Sequence, residues 1–135
     1  MRDNCWIDKT ESTVVKRFKN NPLGNHRFHS ELSAYLRANK KKLDYIPKLI
    51  DWDPEKLSIT MERIEAVRKS RRGREPEIRE LAKRFLSDTS LHHNDIRFKN
   101  VLVDKNNKLY LIDFELSSKN DTDKNDDKIL VNQNV

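Results

Sequence analysis

His93-Asn94-Asp95-Ile96-Arg97-Phe98-Lys99-Asn100 runs into Val101-Leu102-Val103, then the polar stretch Asp104-Lys105-Asn106-Asn107-Lys108, then Leu109-Tyr110-Leu111-Ile112-Asp113-Phe114-Glu115. The apolar runs predict two short strands, and the polar stretch the turn between them. Such a hairpin brings Asn100 at one end and Asp113 at the other to a single edge. The pattern has the form H-x-D-x-x-x-x-N followed by D-F-x. That spacing suits phosphoryl transfer: one Asp orients a hydroxyl and takes its proton, while an Asn and a second Asp hold metal against phosphates.

Upstream, Cys5-Trp6-Ile7 and Thr13-Val14-Val15-Lys16-Arg17-Phe18 predict two strands around a turn at 8–12, and Asn20 to Asn25 reads as loop by composition. From His26 to about Lys40 the apolar residues Phe28, Leu32, Tyr35 and Leu36 recur at helical spacing. Glu31 falls beside that stripe, and a carboxylate there needs a partner. Lys16 shares a strand face with Val14 and Phe18, which should turn inward, while Lys19 falls on the opposite face. Leu43 to Trp52 and Leu57 to Met61 predict two further strands around Asp53-Pro54-Glu55-Lys56. A basic connector at 65–76 leads to a helix that opens at Pro76 and lines up Ile78, Leu81, Ala82, Phe85 and Leu86. Residues 118 to 135 are polar and without period, and read as a mostly disordered tail. No internal repeat is visible.

A length of 135 residues corresponds to one domain with a small core. Apolar residues make up 35% and charged residues 37%, polar yet foldable. The net charge of +6 suits an anionic ligand such as ATP, an acidic substrate or nucleic acid. The single Cys5 excludes an internal disulfide and fits a reducing compartment. No secretory leader and no membrane-spanning run is read, so the expectation is a cytoplasmic protein without membrane contact.

These motifs resemble the protein-kinase-like superfamily, over roughly residues 13 to 116 and most densely over 93 to 115. The resemblance implies an α+β, two-lobe fold in truncated form. Residues 1–64 would be a small lobe of antiparallel sheet and one helix, lacking the glycine-rich loop. Residues 65–117 would be a minimal helical second lobe carrying the catalytic hairpin. It implies ATP and Mg²⁺ as cofactors, with Asn100 and Asp113 holding the metal and Asp95 as base. Val14-Val15-Lys16 resembles the V-A-I-K strand, so Lys16 would neutralise phosphate charge, oriented by Glu31. Met61-Glu62-Arg63-Ile64 resembles the hinge whose backbone binds adenine. His93 would brace the loop. Arg97, and Lys99 beside Asn100, would contact the transferred phosphate. His29 and His92 have no partner pattern and read as structural.

The chain departs from the family in three places. Neither of its two glycines, Gly24 and Gly73, precedes Lys16, so a G-x-G-x-x-G loop is impossible. The third member of D-F-x is Glu115, which with His93-Asn94-Asp95 is similar to the choline/aminoglycoside kinase branch. Beyond residue 116 no A-P-E segment or substrate-binding helices follow; a whole kinase of this type would be about twice as long. The implied activity is phosphate transfer from ATP to a protein Ser/Thr hydroxyl or to the chain itself. The alternatives are a small-molecule hydroxyl kinase, and a non-catalytic module that binds nucleotide or a kinase partner. A missing substrate lobe would expose apolar surface and favour an oligomer or a partner protein. The run Arg68-Lys69, Arg71-Arg72 and Arg74 has no interleaved aromatic, so nucleic-acid contact there would be non-specific.

Overall fold

The computed structural model describes residues 5–121. β1 (Cys5–Lys9) and β2 (Thr13–Phe18) form a hairpin closed by Thr10, whose N–H donates to the Thr13 carbonyl at 2.9 Å. The first strand therefore runs on to Lys9, and the expected turn shrinks to Thr10-Glu11-Ser12. With β3 (Leu49–Asp53) and β4 (Ser58–Glu62) the hairpin makes an antiparallel sheet in the order β1-β2-β4-β3. Ile7 lies opposite Lys16 in β2, and Lys16 opposite Ile59 in β4.

The helix α1 (Pro22–Lys40) crosses this sheet. It begins before His26, inside the segment expected to be loop. Asn21 is extended and its side chain accepts the Gly24 N–H at 2.7 Å, while Pro22 supplies a preset φ in the first turn. The residues that spell a loop by composition are here a helix start. Phe28, Leu32, Tyr35 and Leu36 are buried, as their spacing implies. So are Glu31 and Arg37, because a second layer covers the far side of the helix. Arg37 donates to the Thr89 carbonyl at 2.8 Å, at the end of α2 (Glu75–Thr89).

From α2 the core receives Ile78, Leu81 and Phe85, whereas Ala82 and Leu86 are only half-buried. The αL conformation of Ser90 ends the helix, and β5 (Leu91–His92) leads into the motif loop. A single 3₁₀ turn at Phe98–Asn100 precedes β6 (Val101–Val103), which pairs with β7 (Leu109–Leu111). The hairpin of the sequence reading is thus present, with Val101 opposite Leu111. It is pinned to the rest of the fold by Val67 N–H on the Val103 carbonyl (2.8 Å) and Leu111 N–H on the Tyr45 carbonyl (2.9 Å).

The tail differs from expectation at its start. Ser118–Lys119 form β8 and pair with Leu91–His92 of β5. Two polar residues carry no periodic signal, so composition could not reveal a strand that β5 recruits. The remainder of the expected tail, residues 122–135, lies outside the described residues. Among the described residues no helix is long and apolar enough to cross a membrane.

Gly24 sits where a Cβ would run into the Lys19 carbonyl. Ala normally favours a helix by about 1 kcal/mol over Gly. Here Gly24→Ala should instead destabilise by about 1–3 kcal/mol, the usual scale of overpacking, as read from urea unfolding midpoints.

Candidate active site

Lys16 carries the site. Its side chain leaves β2 on the covered face of the sheet and is only 5% exposed. An ammonium there is too costly to leave without carboxylates. Three converge on Nζ: Glu31 Oε1 at 2.7 Å, Asp113 Oδ1 at 3.1 Å and Glu115 Oε2 at 3.2 Å. Glu31 comes from α1, and the other two from the turn after β7. The second Glu31 oxygen accepts the Phe114 N–H, so one side chain ties the helix to both strand and turn. Burial alone would lower the Lys16 pKa; the pull of Glu31, then of Asp113 and Glu115, overrides it and raises it well above the ordinary lysine range. Burial pushes Glu31 up, against the opposing pull of Lys16.

The turn itself is held by aromatic packing. Phe114 is fully buried, stacked on Phe85 with centroids 5.1 Å apart, and meets Tyr35 and His93 edge-on at 5.3 and 5.2 Å. Asp113 takes φ +70°, a left-handed conformation that costs a non-glycine residue strain. Its surroundings hold it there: His93 Nε2 meets the Ile112 carbonyl at 2.9 Å, and Lys16 and Glu31 grip the residues that follow.

His93 has one available tautomer in this geometry. Nε2 faces a carbonyl and must donate, while Nδ1 accepts the Asp95 N–H at 3.1 Å. A second ring proton would point at that N–H. Burial accordingly lowers the His93 pKa. His93 thus links the Ile112 carbonyl to the Asp95 N–H. His92 is exposed beside Asn120, and His29 is exposed with its ring edge-on to Phe28.

Asn100 is fully buried, and Nδ2 donates to the Asp95 carbonyl and to Asp95 Oδ2 at 2.9 and 3.0 Å. Its Oδ1 is buried with no hydrogen-bond partner among the described residues. A buried amide oxygen left without a donor is a standing cost that a cation would remove. No group of three or more His, Cys, Asp or Glu is arranged to hold a metal among the described residues. Yet one carboxylate and one amide oxygen, completed by phosphate oxygens and water, are an ordinary Mg²⁺ set. In donor chemistry, the oxygens of Asn100 and Asp113 are compatible with such an ion.

A cleft of about 700 Å³ opens between the sheet and the β6–β7 hairpin. It is lined by Lys16, Glu31 and Asp113 at one end and by Met61, Glu62, Arg63 and Ile64 at the other, with Ile7, Val14 and Leu102 between. Apolar walls with a few converging polar groups make a ligand site of ordinary size. At its back, Tyr35 Oη lies 3.0 Å from Met61 Sδ. Two of the expected hinge N–H groups are engaged internally: Glu62 donates to the Lys48 carbonyl and Arg63 to that of Ser12. Lys99 lines the cleft, whereas Arg97 does not. Arg97 turns back on Asp95 instead, with Nε to Oδ1 at 2.8 Å and Nη2 to Oδ2 at 3.2 Å. Sequence reasoning missed Glu115 as a member of the cluster, reading it as the residue in a glycine's place and as a mark of the choline/aminoglycoside branch. Arg27, which reaches Glu115 at 3.5 Å, carried no signal at all.

No family model and no curated protein sequence matches this chain. Solved structures do. The whole chain superposes on 36% of WbdD crystallised with the kinase inhibitor LY294002, with TM-score 0.58 and 16% identity. A second crystal structure of WbdD matches over 90% of this chain and 32% of its own, with TM-score 0.59 and 15% identity. The likeness is one of fold: a small α+β arrangement of antiparallel sheet and two helices, shared with WbdD. The chain spans about a third of the length of those neighbours.

Removing the central cation should expose the strain of the cluster. Lys16→Met leaves buried carboxylates uncompensated and should cost about 3–5 kcal/mol in urea unfolding near neutral pH. The loss should shrink at pH 5, because Glu31 then takes up a proton more readily. For His93 the folded pKa is depressed, so the unfolded chain binds the extra proton first. Its contribution is present above about pH 6.5 and is lost as pH falls below that value. His93→Gln should flatten that part of the stability-against-pH curve, measured by unfolding midpoints between pH 5 and 8.

Proposed function

We propose that this chain is an ATP-dependent phosphotransferase, and that its acceptor is a protein Ser/Thr hydroxyl or one of its own. The observation that carries the reading is the meeting of Lys16, Glu31 and Asp113 at one point, with an Asn100 oxygen on the neighbouring loop that is buried without a partner among the described residues. Likeness of fold to WbdD, which was crystallised with a kinase inhibitor, supports the same class at low identity.

Asn100 and Asp113 would hold Mg²⁺, whose chemistry is to neutralise charge on the phosphate oxygens. Lys16 is engaged by three carboxylates, so its ammonium must exchange Asp113 and Glu115 for phosphate oxygens while keeping Glu31. Asp95 accepts the proton of the acceptor hydroxyl as that oxygen bonds to the γ-phosphorus. The bond from γ-phosphorus to the β–γ bridging oxygen breaks, and ADP leaves. Arg97 must release at least one Asp95 oxygen for this to occur. Lys99, on the cleft wall, is better placed than Arg97 to meet the transferred phosphate. Met61, Glu62 and Ile64 would border the adenine end of the cleft.

A second reading has its own observation. Glu115 lies on Lys16 and is reached by Arg27, so the D-F-E turn belongs to the working cluster. That favours a small-molecule hydroxyl acceptor of the choline/aminoglycoside kind.

ADP release from Mg-ATP, followed by intact mass, tests the proposal. Asp95→Ala should lower turnover by about 10²–10⁴-fold, the usual worth of a positioned base. Asp113→Ala should abolish it together with Mg²⁺-dependent nucleotide binding. A folded wild-type protein that binds Mg-ATP without turnover would make the chain a non-catalytic nucleotide-binding module.

A further inference from the structure

Glu115 touches two cations. Its Oε2 lies 3.2 Å from Lys16 Nζ, and its Oε1 lies 3.5 Å from Arg27 Nη1. Arg27 stands on α1 four residues before Glu31, so the two project from one face of the helix, a turn apart. The Arg27 and Glu115 side chains are 24% and 11% exposed, against 1% for Glu31. Lys16 lines the cleft, whereas Arg27 and Glu115 do not.

An ammonium has three protons, and Glu31, Asp113 and Glu115 meet all of them. A phosphate oxygen that enters the cleft needs one. Glu31 is held by the Phe114 N–H and fully buried, so leaving Lys16 would strand its charge. Asp113 lines the cleft, on the side where the proposed function puts a metal ion. Glu115 has somewhere to go. A shift towards Arg27 replaces one charge-assisted contact by another and frees an ammonium proton.

We propose that Glu115 is a two-place counter-ion: it closes the phosphate site of the empty protein, and Arg27 receives it when a polyphosphate reaches Lys16. Both are positioning residues, since they act on the ligand only through Lys16. The ligand class follows from the exchange. A di- or triphosphate chain brings several charged oxygens to displace one carboxylate, which a neutral donor cannot do. The inference rests on the nucleotide-binding part of the proposed function and not on its transfer step.

Calorimetric titration of the full chain with ATP, in EDTA and then with Mg²⁺, tests the exchange. Glu115→Gln keeps the side chain's shape and removes its charge. It should bind metal-free ATP about 10–10²-fold more tightly than wild type, as expected when a like charge leaves an anion's site. Glu115→Ala, which has no amide to stand in for the carboxylate, should show the same gain. Arg27→Met strands Glu115 on Lys16 and should weaken ATP by about fivefold or more, the lower end of ordinary couplings between sites. Arg27→Lys should keep most of the wild-type affinity. In the double variant Glu115→Gln with Arg27→Met the loss should disappear, because no charged carboxylate is left to receive. Unchanged or weaker binding in both Glu115 variants would overturn the proposal, as it would if Glu115 served the fold alone. So would additive losses in the double variant, which would make Arg27 a direct phosphate contact. ADP release recorded beside the titrations separates the two readings. The predicted gains without turnover in any variant would sink the transfer step alone, and turnover without the gains would sink the counter-ion alone.

Discussion

The fold turns on one buried ammonium. Lys16 is placed by strand alternation on the covered face of a sheet, where its charge can survive only among carboxylates. Glu31 from the helix and Asp113 and Glu115 from the turn answer it. Each of those needs the others: Glu31 is buried and relies on Lys16 and the Phe114 N–H, and Asp113 keeps a strained backbone in their grip. The cluster therefore does for the two layers what an apolar core alone would do less specifically. It fixes how the sheet, the long helix and the hairpin meet, and so where the cleft lies.

Polar networks of this kind are costly, and their cost is informative. Among the described residues, Asn100 keeps an oxygen buried with nothing to accept from, beside an amide nitrogen that donates twice to Asp95. Lys16 holds as many carboxylates as an ammonium has protons. Both facts bear on the proposed function: a Mg-nucleotide would bring a cation to the Asn100 oxygen and offer Lys16 phosphate oxygens in place of a carboxylate.

Much of this was legible in the sequence, for definite reasons. The hairpin from Val101 to Leu111 announces itself because two apolar runs flank a turn, and its register follows from strand period. Lys16 and Glu31 could be placed because each falls on a face whose other members are apolar. What stayed hidden depends on tertiary partners or on context. Asn21 and Pro22 spell a loop or a helix start equally well until the Gly24 N–H is seen on the cap. Ser118 and Lys119 become a strand only because β5 offers an edge. The clamp of Arg97 on Asp95 comes from loop geometry, and the place of Glu115 from the turn that swings it back to Lys16.

The partners of Lys16 also set an order of events. Lys16 and Asp113 are 97 positions apart in the chain. A ribosome adding about 5–20 residues per second makes the lysine roughly 5 to 20 seconds before its last partners. Through that interval the nascent sheet and helix hold one cation and one carboxylate, with neither Phe114 nor the β6–β7 hairpin to cover them. The N-terminal half is then a bare edge with a half-built core, the kind of intermediate that chaperones retain. Completion of the cluster waits on the Asp-Phe-Glu turn, so its last members are also the last of it to be synthesised.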